Sequence, residues 1–404
     1  MTTLATIETA LEALRDGKMI ILIDDEHREN EGDLVIAAEK ATPETINFMA
    51  QYGRGLICMP AASDILDRLN LPMMVKHNKS KQRTPFTVSI GAAEGITTGI
   101  SAFDRAHTIK VAIDSASKPE DIVSPGHIFP LKAKEGGILA RAGHTEGAVD
   151  LARLAGFKPA AVLCEIMKSD GTMARLSDLI PFATRHGLPL ISIADLITYR
   201  VNHEDLLSEV ATAHLPLYSY GSFIVKVFES KLDKAQHVAL ISQKPLADHC
   251  LVRLHSECLT GDIFGSSRCD CGQQLEASLK RIHQEGGVLL YMRQEGRGIG
   301  LGNKIRAYAL QETAGLDTVE ANHALGFASD ERDYGMGAQL LRHLGICKIR
   351  LLTNNPKKIA GLRRYGIEEV IREPLEIEPS DTNIAYLTTK RDKLGHLLSL
   401  RVNE

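Results

Sequence analysis

Met19-Ile20-Ile21-Leu22-Ile23 runs straight into Asp24-Asp25-Glu26-His27-Arg28-Glu29-Asn30-Glu31-Gly32-Asp33. The apolar run is short, rich in Ile and bounded by charge, so it reads as a buried strand. Six of the ten residues after it are acidic. An arbitrary acidic run is more often a solvated loop than a site. This one sits at the end of a buried strand, where α/β proteins place their sites, and Arg28 within it offers a partner for a phosphate. Charges crowded in this way repel one another without a cation, and hard oxygen ligands suit Mg²⁺.

Outward from that stretch, a helical pattern at 7–15 precedes the strand. Further strand candidates lie at 86–90, 138–140, 161–166 and 190–192, with helical patterns at 145–155 and 175–186. The irregular alternation suggests an α+β or mixed α/β architecture. Residues 199–217 look different, 199–205 being polar and Leu215-Pro216-Leu217 restarting an extended pattern, which places a seam near 200–210 and domains at 1–204 and 205–404. Beyond the seam, strands are expected at 223–228, 237–241, 288–291 and 349–353, and helices at 274–285, 303–313 and 334–344. Each domain is expected to be a mixed β-sheet flanked by helices.

A length of 404 residues fits two or three domains, and 44% apolar with 24% charged residues is the balance of a soluble globular protein. Lys plus Arg is 47 against 51 Asp plus Glu, a net charge of −4, with 5% aromatic residues. That excludes a generic basic nucleic-acid coat. No stretch approaches the ~20 apolar residues of a membrane span, and Met1-Thr2-Thr3-Leu4 lacks the features of a signal peptide. Seven thinly spread Cys argue against a disulfide scaffold. The expectation is a cytoplasmic protein with no nucleic-acid or membrane partner.

A second cluster, Arg141-Ala142-Gly143-His144-Thr145-Glu146, enters the helix expected from 145. Gly143 allows a tight turn, the helix N-terminus favours an anion, and Arg141 and Thr145 add donors. Plain capping by Thr145 explains that residue but not Arg141 and His144. Ser124-Pro125-Gly126-His127-Ile128-Phe129-Pro130 places His127 in a rigid turn. Glu165 interrupts an apolar strand. Burial there raises a carboxyl pKa toward that of a general base, though a satisfied structural partner is an equal reading.

Together with Thr97-Thr98-Gly99-Ile100-Ser101-Ala102 and Asp104-Arg105-Ala106, these motifs resemble 3,4-dihydroxy-2-butanone 4-phosphate synthase over essentially all of residues 1–200. The resemblance implies conversion of ribulose 5-phosphate to the four-carbon phosphate and formate with Mg²⁺ or Mn²⁺. It implies Glu29 and His144 as metal ligands, Arg28, Glu29, Asp33, Arg141, Ala142, Gly143, His144, Thr145 and Glu165 around the sugar phosphate, and His127 with Glu165 as the catalytic pair. It also implies a homodimer.

In the second half, Cys258, Cys269 and Cys271 lie in a polar segment and leave one tetrahedral position open, the pattern of a catalytic zinc that activates water. Arg293-Gln294-Glu295-Gly296-Arg297-Gly298-Ile299-Gly300-Leu301-Gly302-Asn303-Lys304 follows a strand and opens a helix. Its alternate glycines let backbone amides approach a ligand. Thr353-Asn354-Asn355-Pro356-Lys357-Lys358 is a second basic turn, with Asn355 as cap and Pro356 at the first helical position. Two such turns point to a polyphosphate.

With Arg253-Leu254-His255-Ser256-Glu257-Cys258, Val319-Glu320-Ala321-Asn322 and Asp330-Glu331-Arg332-Asp333-Tyr334, these motifs resemble GTP cyclohydrolase II over roughly 205–400. The resemblance implies opening of the GTP imidazole ring with loss of formate and pyrophosphate. Zinc would be held by Cys258, Cys269 and Cys271, with Mg²⁺ on the GTP phosphates. GTP would be held by Arg253, Leu254, His255, Ser256, Glu257, Gln274, Glu295, Gly296, Arg297, Thr318, Thr353 and Lys358. Asp330 would be the proton acceptor and Arg332 the nucleophile, although an always-protonated guanidinium is better suited to stabilising phosphate charge. A rival is a GTP-binding regulatory pseudoenzyme with one active half; it would be expected to lack Cys258, Asp330, Glu29 or His144, and all four are present.

Overall fold

The computed structural model describes residues 4–26, 28–330, 332 and 334–399. His27, Glu331 and Asp333, quoted above within motifs, lie outside the described residues. The chain divides into two compact units, Met1–Arg200 and Val201–Glu404.

In the first unit the strands are β1 (Ile20–Ile23), β2 (Gly32–Ala37), β3 (Cys58–Ala61), β4 (Ile90–Ala92), β5 (Ile122–Lys132), β6 (Ala161–Glu165) and β7 (Leu190–Ser192). They form one sheet in the order β4-β5-β3-β6-β2-β1-β7. β1 pairs with β7, and β3 with β5, in parallel; the other pairings are antiparallel. β1 is apolar throughout because both its faces are covered. Ile21 and Ile23 join Leu34, Ile36 and Val162 in one core beneath helices Pro43–Phe48, Ala102–Ile113 and Leu176–His186. Ile20 and Leu22 join Val35, Ala37 and Leu163 in a second core beneath helices Ile7–Arg15, His144–Leu154 and Ile193–His203.

The second unit contains β8 (Leu207–Leu217), β9 (Gly221–Ser230), β10 (Gln236–Ser242), β11 (Cys250–Ser256), β12 (Val288–Met292), β13 (Lys348–Leu352) and β14 (Glu369–Glu373), ordered β14-β13-β11-β12-β10-β9-β8. Strands β8, β9, β10 and β12 run antiparallel in sequence, whereas β12, β11, β13 and β14 are mutually parallel. Loops leaving the carboxyl ends of β11, β12 and β13 therefore converge, as in other open α/β sheets. The unit opens on a buried amide: Gln339 Nε2 donates to the carbonyls of Val201 and Glu204, both at 2.8 Å, and its oxygen accepts from Leu206 N–H at 3.0 Å.

Some local expectations change. Residues 138–140 fall on a 3₁₀ turn, Gly137–Leu139, where Gly136 and Gly137 both take positive φ. Only Ile90 of the 86–90 candidate enters a strand, Phe86 and Thr87 making isolated bridges. The rigid turn at 124–130 is an excursion inside β5, since adjacent Ile90 and Gly91 pair with Ile128 and Val123. The polar stretch at 199–205 is the end of helix Ile193–His203, and β8 follows it with most of its residues exposed.

Candidate active sites

In the first unit the acidic loop between β1 and β2 is organised by Asp24. Its carboxylate accepts the Glu29 N–H at 3.0 Å, the Glu31 N–H at 2.9 Å and Arg28 Nη1 at 2.8 Å. Glu29 is thereby turned toward helix His144–Leu154, with its Oε2 3.4 Å from His144 Nδ1. The carboxylates of Asp24 and Glu29 and a ring nitrogen of His144 place ligand atoms within 4.8 Å of one another. Asp24, absent from the expected ligand set, is thus a third candidate. The His144 hydrogen bond holds Glu29 down at about 2 against the opposing effect of burial, helped by Arg28. Burial alone would lower His144, but Asp33, Glu29 and Asp24 outweigh it and push it up to about 9.

Helix His144–Leu154 starts one residue earlier than expected, with Gly143 as its cap and no side-chain capping bond. Thr145 is therefore buried inside the first turn, so capping does not account for it. Arg141 Nη1 donates to the buried Glu146 at 2.7 Å, and Nη2 to the Gln82 carbonyl at 3.1 Å. A Cβ on Gly143 would lie 2.6 Å from Arg141 Nη1 and 2.9 Å from Arg28 Nη2, so two guanidiniums close on the helix N-terminus there. Ala142 joins Arg141 to Gly143. Two cations at a helix N-terminus are the groups an anion favours, and here both are held in place by carboxylates.

Glu165, at the end of β6, is only half-buried and accepts the Leu56 N–H at 2.8 Å. The expected burial falls instead on Asp33, its register partner on β2. Burial pushes Asp33 up to about 7, with Glu165, Glu29 and Glu31 adding to the effect and His144 opposing it. Asp33 Oδ1 and His144 Nε2 are both buried without a hydrogen-bond partner, which is costly unless a ligand meets them. His127 is exposed on β5 and lies against the 97–101 turn: a Cβ on Gly99 would sit 2.7 Å from its Nδ1. Among the described residues no hydrogen bond joins His127 to Glu29, His144 or Glu165. Asp104 holds that turn together, accepting from Thr97 and Gly99 N–H groups.

In the second unit a cavity of about 730 Å³ opens at the carboxyl ends of β11, β12 and β13. Cys258, Cys269 and Cys271 line it with their sulfurs within 4.8 Å of one another, Cys258 and Cys269 being 3.7 Å apart. Hydrogen bonds from Cys269 and Cys271, with Lys304 3.1 Å away, hold Cys258 far below the ordinary thiol range. Lys304 also binds Glu295 at 2.9 Å, and Glu295 accepts the Leu259 N–H at 2.6 Å. The glycine-rich turn adopts the left-handed backbone that its composition permits: Gly296, Gly298 and Gly300 take positive φ, and so does Arg297.

Of the residues expected around GTP, Arg253, His255, Ser256, Glu257, Gln274, Glu295, Gly296, Arg297, Thr318, Thr353 and Lys358 line this cavity. Leu254 does not; it is buried, and its carbonyl accepts Lys358 Nζ at 2.7 Å. Lys357 is exposed and outside the cavity, so only one of the two lysines is available to the ligand. Arg253 donates to the Leu352 carbonyl at 2.8 Å and to Gln274 at 2.6 Å, and its buried Nε has no partner. Burial lowers Arg253 to about 10 and carries Lys358 well below the ordinary amine range, with Arg253 and Arg332 adding to it. His255 Nε2 lies 3.1 Å from both Asp262 oxygens, and Tyr291 donates to the same carboxylate at 2.8 Å. Burial lowers His255 against the opposing pull of Asp262, and its buried Nδ1 is unpartnered.

Arg332 grips Asp330 bidentately, Nε to Oδ1 at 2.7 Å and Nη2 to Oδ2 at 2.5 Å. Burial would raise Asp330, but this pairing keeps it below its usual value, and the same pairing raises Arg332 further. Arg332 lines the cavity while Asp330 stands behind it. Sequence reasoning missed the C-terminal wall, where Tyr386, Lys390 and His396 line the same cavity. Gly395, at positive φ just before His396, is the one local signal in that segment, and it marks a turn rather than a site.

The family profile of 3,4-dihydroxy-2-butanone 4-phosphate synthase matches residues 8–199, and that of GTP cyclohydrolase II matches residues 208–374. Riboflavin biosynthesis protein RibBA of Aquifex aeolicus is 57% identical over 397 residues, covering 97% of this chain and 97% of the relative. RibBA of Synechocystis is 55% identical over 398 residues, 97% of this chain and 71% of the relative. Among solved structures, RibBX of A. baumannii, described as a two-domain 3,4-dihydroxy-2-butanone 4-phosphate synthase, aligns with a TM-score of 0.72 at 39% identity. It covers 91% of this chain and 99% of its own.

Proposed function

The chain belongs to the RibBA family of bifunctional riboflavin biosynthesis proteins, and from that premise we propose how its two clusters divide the work. The protein is a 3,4-dihydroxy-2-butanone 4-phosphate synthase joined to a GTP cyclohydrolase II, acting on ribulose 5-phosphate and on GTP. The pseudoenzyme rival finds no support. No described helix is long and apolar enough to cross a membrane, and we place the protein in the cytoplasm as a homodimer on the family resemblance alone.

In the synthase unit, Glu29 and His144, joined by Asp24, would hold Mg²⁺. The donor set fits, since two carboxylates and a ring nitrogen of buried His144 converge. Bound there, the ion supplies positive charge to oxygens of the sugar. Arg28 and Arg141 bind the substrate phosphate at the His144–Leu154 N-terminus. Asp33, at about 7, holds or releases a proton near neutral pH on the same face as Glu165. Glu165 takes a proton next to the substrate carbonyl, with its other oxygen position fixed by Leu56 N–H. His127 serves from the 97–101 side.

In the cyclohydrolase unit, Cys258, Cys269 and Cys271 would hold zinc; three convergent sulfurs with no fourth ligand grouped with them among the described residues fit a catalytic site. That ion supplies a Lewis acid for water attack on the imidazole ring. Arg253, Arg332 and Lys358 bind the triphosphate, whose Mg²⁺ offsets the remaining charge. Asp330, kept ionised by Arg332, accepts a proton. Because its guanidinium is locked as a cation by that pairing, we assign Arg332 to charge stabilisation at the α-phosphorus rather than to nucleophilic attack.

The observation that carries this reading is the opening of the sulfur triad onto the same cavity as the basic side chains Arg253, Arg332 and Lys358. It is tested by measuring formate from ribulose 5-phosphate and from GTP supplied separately, together with metal analysis. Zinc near one per chain with both reactions is expected; formate from one substrate alone sinks the assignment.

A further inference from the structure

Helix Ile384–Asp392 lies beyond the segment matched to GTP cyclohydrolase II, yet it forms part of the nucleotide cavity. Lys390 is buried there, and its Nζ donates to Asp270 Oδ1 at 2.6 Å. Asp270 is itself buried and stands between Cys269 and Cys271. Its second oxygen accepts Gln274 Nε2 at 2.6 Å, and Gln274 Oε1 accepts Arg253 Nη2 at 2.6 Å. Lys390 also sits 4.6 Å from the centroid of the Tyr386 ring. The segment is closed down on the site farther along, where Leu397 N–H donates to the Asn354 carbonyl at 2.8 Å.

A carboxylate this buried needs its cation, because removing one partner of a buried pair strands the other charge. Stranded, Asp270 is driven to turn toward water, which shifts the Cys269–Cys271 loop it stands in and removes the acceptor that orients the Gln274 amide toward Arg253. We propose that Lys390 is a positioning residue for GTP ring opening, acting through Asp270 to fix at once the sulfur loop and the Arg253 guanidinium. The C-terminal segment is then a working part of the cyclohydrolase. The kinetic argument rests on the assigned activity alone; only its spectroscopic readout rests on the zinc reading.

The test compares Lys390→Met, Lys390→Arg and the double variant Lys390→Met/Asp270→Asn in the full-length chain. Thermal melting and formate release from ribulose 5-phosphate control for folding. Lys390→Met is expected to lower kcat for GTP about 10–100-fold, the range for residues that orient metal ligands, with KM shifted less than about threefold. Lys390→Arg recovers most of the rate, and the double variant is no worse than Lys390→Met. In protein loaded with Co²⁺, the sulfur-to-cobalt absorption bands shift in Lys390→Met and return in Lys390→Arg. A raised KM at unchanged kcat makes Lys390 a phosphate ligand and overturns the proposal. Additive losses in the double variant, or unchanged kcat with a lower melting temperature, overturn it too. If the wild type shows no sulfur-to-cobalt bands, the zinc reading fails and the kinetic comparison alone decides on Lys390.

Discussion

Asp33 and Glu165 face each other in the antiparallel ladder of β2 and β6, yet only Asp33 is buried. The folded chain keeps a proton on Asp33 up to about pH 7, whereas an ordinary carboxyl near 3.8 has already released it. A group whose folded pKa is raised gives stability that is complete below its unfolded value and disappears as pH climbs through the folded one. In metal-free protein, Asp33→Asn and wild type should therefore match below pH 4. The variant should pull ahead between pH 4 and 7, by on the order of a few kcal/mol. Melting curves across that range in chelator check it; parallel pH dependences would remove Asp33 as the buried titrating group.

Glu29→Gln keeps size and hydrogen bonding but removes the charge that faces His144 at 3.4 Å. Synthase activity should collapse at ordinary Mg²⁺ while GTP opening stays largely intact. Formate assays with each substrate read this directly, and unchanged synthase kinetics would take Glu29 out of the metal site.

Replacing Cys269 with Ser removes one of the three convergent sulfurs. Zinc occupancy should drop and formate release from GTP should cease, with the ribulose 5-phosphate reaction continuing. Full zinc with undiminished GTP turnover is the result that would falsify the triad assignment.

Fragments separate the two reactions, and Gln339 decides where to cut. A fragment ending at Arg200 is expected to make the four-carbon phosphate with Mg²⁺ alone. A fragment starting at Val201 keeps the carbonyls and N–H that satisfy Gln339, whereas one starting at Ser208 leaves that amide buried and bare. The shorter fragment should be less stable by about 1–3 kcal/mol, the usual cost of an unsatisfied buried polar group. Urea melts of both compare them. Equal stability would mean that the 201–207 stretch does not belong to the second unit.

The parts of this molecule that can be read in the chain are those in which one residue type repeats or one backbone geometry is demanded. The run at 20–23 is legible because both faces of β1 are covered. Strand β2 is harder to see, since it begins at Gly32 and Asp33, which look like the tail of the acidic loop. Strand β11 hides for a related reason: Arg253 and His255 interrupt its apolar pattern, and they are buried because the cavity employs them. The motifs carry most of the site for the same reason. Lys390 and Tyr386 escape notice because their partners lie about a hundred residues upstream, at Asp270 and Arg297, and nothing local marks a long-range pair.

Two glycines in the synthase unit meet different neighbours, and that difference tells an engineer what each is for. A Cβ on Gly126 would run into the backbone of Ile90 at 2.0 Å, so any replacement there is paid in folding and yields insoluble protein. A Cβ on Gly143 would meet only the far ends of Arg141, Arg28 and Glu146 side chains, which can swing aside while the main chain stays put. Alanine at 143 should thus be invisible to a solubility or melting screen and conspicuous in one that demands growth without added riboflavin. Sequencing the survivors of both screens would sort glycines held by architecture from those held by chemistry.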